Sequence, residues 1–191
     1  MTTKTVEVQI ADQYQQVADA FSKMFDTLSP RTGIRNNLWR SKQFQGAGSC
    51  INYDRETAIR TFHGPAKDNL IELSDQRNAQ VPGKNTQSSC EYHRSENGCV
   101  LNATRPPFCL ETITYPHELQ ERFNIYGYRL SHWIRETLSQ VMQGEADEKF
   151  VKEKIYQINH LIAYTDTFPV LGLEEQTTDP NPRFNASLNK A

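Results

Sequence analysis

Between Leu119 and Val141 the apolar side chains return at three- and four-residue steps, as Leu119, Phe123, Tyr126, Leu130, Trp133, Ile134, Leu138 and Val141. That period matches a helical turn and places every one of these residues on a single stripe, which another element must cover. Thr114 serves as its cap, Pro116 falls near the first turn, and Gly144 closes the segment. A second stripe follows at once, with Phe150, Val151, Ile155, Ile158, Leu161 and Ile162 predicting a helix from Glu145 to about Tyr164. Two such helices in succession predict an antiparallel hairpin that acts as scaffold.

A third stripe, Val17, Phe21, Met24, Phe25 and Leu28, predicts a helix over Ala11 to Leu28, ended by Ser29-Pro30. Upstream, Val6, Val8 and Ile10 alternate with polar residues and read as a short strand. From Arg31 to Ser49 the periodicity fails, and the glycines and asparagines there mark a loop that carries Ile34, Leu38, Trp39 and Phe44 onto the core. Asp54 caps a short helix through Phe62, Gly64-Pro65 interrupts it, and a second short helix runs from Pro65 to Ser74. Residues Asp75 to Ser89 have almost no apolar content and read as a mobile internal loop. The expected fold is therefore mainly α. It is a small single helical domain over 1–173, with a C-terminal helical hairpin and an irregular cysteine-bearing insert at 44–116 that contains a short β-hairpin. The polar, proline-broken stretch 174–191 reads as a disordered tail.

A chain of 191 residues is long enough to bury a core without a disulfide or a metal. The net charge is -2 and no long run of either sign occurs, so bulk electrostatics nominates neither a nucleic acid nor a membrane surface. No apolar stretch approaches the roughly 20 residues of a membrane span, and no secretion signal is legible, which predicts a cytoplasmic protein. In that compartment thiols stay reduced, so the four cysteines favour a metal site over two disulfides. Glycine-rich phosphate loops and nucleophile motifs are not found, which leaves catalysis and nucleotide binding unsupported. Tyr126, Tyr128, Arg129, Trp133 and Arg135 mix aromatic and basic side chains, but at helical spacing they read as a packed face with arginines reaching outward.

The cysteines stand at Cys50, Cys90, Cys99 and Cys109, the last three inside CEYHRSENGCVLNATRPPFC. Asn97-Gly98 is a tight-turn signal that folds Cys90 and Cys99 toward each other, and Pro106-Pro107 opens a short helical turn that sets the direction of Cys109. Four converging thiolates repel one another unless a cation relieves them, and either a zinc ion (Zn2+) or an iron-sulfur cluster takes four sulfurs. His93, three residues after Cys90, is the rival fourth ligand; otherwise it is a solvated hairpin residue. His132 and His160 read as helix residues without a ligand role.

GCVLNATRPPFCLETITYP resembles the Gly-Cys-x-x-Tyr-x-x-Arg-Pro-x-x-Cys segment of the YkgJ-type cysteine-cluster family, described as zinc- or iron-chelating. Phe44 to Ile51 is similar to that family's Cys-x-x-Cys-Gly-x-Cys-Cys segment with Cys50 alone kept, and Asn102 and Leu110 stand where the family has tyrosine and arginine. The resemblance covers Phe44 to Pro116 and implies a metal-binding protein with Cys50, Cys90, Cys99 and Cys109 as ligands. A filled four-thiolate sphere leaves no open position for water, which points to a structural, redox-sensing or electron-transfer role and not to hydrolysis. Two other expectations compete with it. One is an adaptor that binds a protein partner through the aromatic helix, its thiols incidental; the other is a switch in which Cys99 and Cys109 form a reversible disulfide.

Overall fold

Helix α1, Val6–Thr32, buries Ile10, Tyr14, Val17, Phe21, Met24 and Phe25 along one side, and Gln13, Ala20 and Ser22 widen the buried arc at both edges. Each large apolar side chain so covered contributes about 2 kcal/mol. The structure is a computed structural model that describes residues 5–32, 35–36, 54–83, 90–94, 98–111, 113–114 and 127–165. In chain order it continues with strand β1 (Arg35–Asn36), α2 (Arg55–Ile59), α3 (Lys67–Gln80) and strands β2 (His93–Arg94) and β3 (Gly98–Cys99). A 3-10 turn (Asn102–Thr104), α4 (Pro107–Glu111), β4 (Ile113–Thr114), α5 (Gly127–Met142) and α6 (Glu148–Thr165) complete it. The fold is mainly helical, as the stripes predict.

The breadth of the α1 arc has a direct cause. Helix α6 packs on it most extensively, and the 3-10 turn and α5 also pack on it. Phe21 meets Trp133 of α5 edge to face at 5.2 Å. The two C-terminal helices follow one another across a short turn, but they pack less on each other than on α1; α6 packs chiefly on α1, and α5 packs on α1 and α4 alike. The turn between them is closed at both ends by local hydrogen bonds. Gly144 takes φ +76, its N–H bonds the Val141 carbonyl at 3.0 Å, and Glu145 N–H bonds the Gln140 carbonyl at 3.1 Å, a Schellman cap. Asp147 then caps α6 by accepting Phe150 N–H at 2.7 Å.

Several local expectations are corrected. Val6 and Val8 are exposed and helical, not a strand, because only Ile10 of the alternating trio has a buried place, on the Ile10–Tyr14–Val17 stripe. Helix α1 continues past Ser29-Pro30 to Thr32, since a proline removes one backbone donor without forbidding the next turn. Thr114 lies in β4, paired with Arg35, and is not a helix cap. The region from Asp75 to Gln80 is the second half of α3, held by tertiary contacts, rather than a loop. Helix α2 ends at Ile59, short of Phe62, and α3 starts at Lys67. Pro116, Leu119, Phe123, Tyr126, the 84–89 stretch and the 166–191 tail lie outside the described residues, as do 33–34 and 37–53, which include most of the loop expected from Arg31 to Ser49. The Asp54 cap is confirmed: its Oδ1 accepts Thr57 N–H at 2.8 Å.

Helix α3 carries little apolar surface, with Leu70 and Ser74 its buried residues, yet it braces the insert. Ser74 Oγ donates to the Thr104 carbonyl at 2.7 Å, and Arg77 Nε donates to the Val100 carbonyl at 3.2 Å. Asp75 receives Arg55 Nε and Nη2 at 2.9 and 2.5 Å, and also the Tyr92 hydroxyl at 3.1 Å. Those bonds join α2, α3 and the start of the β2–β3 hairpin.

Candidate functional site

The β2–β3 hairpin brings one pair of thiols together. Val100 N–H bonds the Tyr92 carbonyl at 2.9 Å, and the register continues as His93 opposite Cys99 and Arg94 opposite Gly98. His93 and Cys99 are therefore a close-approach pair between hydrogen-bonded neighbours, with both side chains on one face of the ladder. Cys90 sits one turn upstream, its carbonyl accepting His93 N–H at 3.1 Å. All three are buried: Cys90 is 7% exposed, Cys99 5% and His93 8%. The expected hairpin is thus formed, and His93 is a buried residue and not a solvated one.

Burial pushes the Cys90 thiol up to about 11, and the neighbouring Cys99 adds to the rise because two thiolates would repel. The main-chain N–H groups of Tyr92 and His93 turn toward the Cys90 sulfur and offset part of it. Burial and the adjacent Arg94 guanidinium hold His93 below the ordinary imidazole range, so the ring is neutral at pH 7. His93 Nδ1 is buried without a hydrogen-bond partner. A nearby cation would offset the cost that burial places on the Cys90 thiolate.

Cys109 is positioned differently. Pro107 opens α4, as expected, and Cys109 N–H bonds the Pro106 carbonyl at 3.0 Å. The thiol is 4% exposed and lies near Tyr14 of α1, whose hydroxyl is held well above the ordinary phenol range by burial first and then by the neighbouring Cys109 and Glu111. Cys90, Cys99 and Cys109 are not in disulfides. Among the described residues no three His, Cys, Asp or Glu side chains are gathered as a metal-holding group. Cys50 lies outside the described residues.

Two further histidines lie on the C-terminal helices, as their spacing predicts. His132 is exposed on α5, 3.8 Å from Glu136, and His160 stacks on Tyr156 at 6.1 Å on α6. The aromatic and basic face of α5 is likewise engaged, with Trp133 against Phe21 and Arg135 paired to Glu111. No helix among the described residues is long and apolar enough to cross a membrane.

Two features of the insert escape a reading of the sequence. Tyr92 anchors the hairpin to Asp75, and Arg105, which directly precedes the two prolines, is 1% exposed. No pattern of residue types marks an arginine as buried. No protein-family model, curated protein or solved structure matches this chain.

Proposed function

We propose that the chain is a metal-binding protein whose ligands include the thiol pair Cys90 and Cys99, with the imidazole of His93 as a further candidate. The observation that carries this reading is the hairpin register, which sets a buried His93 with an unpartnered Nδ1 opposite Cys99, with Cys90 one turn away. The resemblance of Gly98–Cys109 to the YkgJ-type chelating segment adds to it. With an imidazole in the set, zinc is the favoured occupant; an iron-sulfur cluster is the alternative if Cys50 and Cys109 complete an all-thiolate set. The metal would supply the positive charge that buried thiolates need. Such a centre, closed by protein ligands, suits a structural, redox-sensing or electron-transfer role in preference to turnover.

The test is anaerobic purification from zinc- and iron-replete cells, followed by elemental analysis and an absorption spectrum. One zinc per colourless chain, lost in Cys90→Ser and Cys99→Ser and weakened in His93→Ala, is the expected result. Broad visible absorption with iron and sulfide identifies the cluster instead, and a chain that holds neither metal overturns the reading.

A further inference from the structure

Arg105 is the most deeply buried charged side chain described, 1% exposed, and its Nε and Nη2 have no hydrogen-bond partner. Among the described residues no ion pair involves it. Arg94, also buried, is a useful contrast. Its two terminal nitrogens bond the carbonyls of Glu91, His93, Asn78 and Val81 and the Asn78 side chain, so it is a main-chain clamp. Arg105 has no such set of carbonyls.

The two vacant groups share one edge of the guanidinium. Nε–H and one Nη2–H point in parallel along that edge, at the spacing of two oxygens on one carboxylate or phosphate. Arg55 shows the same edge in use in this protein, Nε on Asp75 Oδ1 at 2.9 Å and Nη2 on Oδ2 at 2.5 Å. A guanidinium cannot shed its proton to escape burial, and an enclosed charge without a counter-charge is strongly destabilising. A water molecule would satisfy the N–H groups but not the charge. The main chain around Arg105 is fixed from three sides, which keeps the fork in place. Tyr14 donates to its carbonyl at 2.5 Å, its own N–H bonds the Asn102 carbonyl at 3.4 Å, and Ser74 holds the preceding carbonyl, that of Thr104, at 2.7 Å.

We propose that Arg105 is the anchor of an oxyanion site, which grips a phosphate or carboxylate group side-on through Nε and Nη2. The site is independent of the thiol pair, and either could fail without the other.

The experiment is thermal unfolding of the full chain in sodium phosphate, sodium acetate and sodium chloride at matched ionic strength. At about tenfold excess over Kd, phosphate or acetate should raise the midpoint by about 3–5 °C over chloride, and the responding anion names the ligand class. In Arg105→Met the response should vanish while the midpoint in chloride holds or rises. No anion-specific response in the unaltered protein overturns the proposal, as does an equal response in Arg105→Met. Should that variant not fold, Arg105→Lys decides: it keeps the charge but loses the fork, so affinity must fall several-fold, and an unchanged affinity overturns the proposal.

Discussion

The Tyr14 hydroxyl donates to the main-chain carbonyl of Arg105 at 2.5 Å, joining the middle of the first helix to the turn that leads into α4, 91 positions later. Tyr14 is fully buried and its ring meets Phe62 edge to face at 5.6 Å, so one side chain ties α1, the end of the α2 segment and the cysteine insert. Tyr14→Phe keeps the ring contact and removes only the hydroxyl. It should lower stability by about 1–2 kcal/mol, read as a lower denaturant midpoint with an unchanged slope.

Gly64 takes φ +76, and a Cβ there would stand 1.9 Å from the Met142 carbonyl oxygen at the end of α5. Neither the backbone angle nor the close approach admits a side chain. Gly64→Ala should therefore cost about 3 kcal/mol, the sum of backbone strain and overpacking. Gly83 also has positive φ, at +114, but its Cβ would meet only Arg94 Cδ at 3.5 Å. Gly83→Ala should cost visibly less in the same urea titration.

The pair Arg55–Asp75 sets an acid limb to stability. Its hydrogen bonds to Arg55, and secondarily to Tyr92, hold the Asp75 carboxyl below the ordinary range. A carboxyl that is more acidic folded than unfolded contributes above its unfolded value, near pH 4, and loses that contribution as pH falls through the folded value. Asp75 is 41% exposed, so the effect is modest and screened by salt. Denaturant midpoints between pH 2 and 6 should fall more gently for Asp75→Asn than for the unaltered chain, and the difference should shrink in high salt.

Cys90, pushed up to about 11, carries very little thiolate at pH 8 in the metal-free folded protein. Its modification by a small disulfide reagent should run about a hundredfold slower than in guanidinium-unfolded chain, followed by site-resolved mass spectrometry. Fast reaction in the folded, metal-free state would show that the hairpin does not enclose this thiol.

Much of the insert was legible because its signals are local. The pairing of β2 with β3 on either side of the expected Asn-Gly turn, the Asp54 cap and Pro107 at the first position of α4 each follow from signals within a few residues, and each is found where its chemistry puts it. The apolar stripes announced that α1, α5 and α6 each bury a face, but a stripe does not name what covers it, so the role of α1 as common partner was hidden. Helix α3 was cut short at Ser74 because its second half is polar; what holds that half is a set of side-chain bonds to Arg55, Tyr92 and Val100, all distant in sequence. Of the four cysteines expected to share one site, Cys50 lies outside the described residues, and the other three divide between two elements. The hairpin delivers Cys90 and Cys99, while the helical geometry of α4 turns Cys109 toward Tyr14.

The place of α1 at the centre has a cost during synthesis. Translation delivers α1 first, and α6, the element that covers most of it, begins 116 residues later, the interval from Thr32 to Glu148. At ordinary elongation rates that is on the order of ten seconds. Through that interval the nascent chain must carry Phe21, Met24 and Phe25 without their final cover, so this protein should lean on holding chaperones at the ribosome and should refold poorly when crowded with copies of itself.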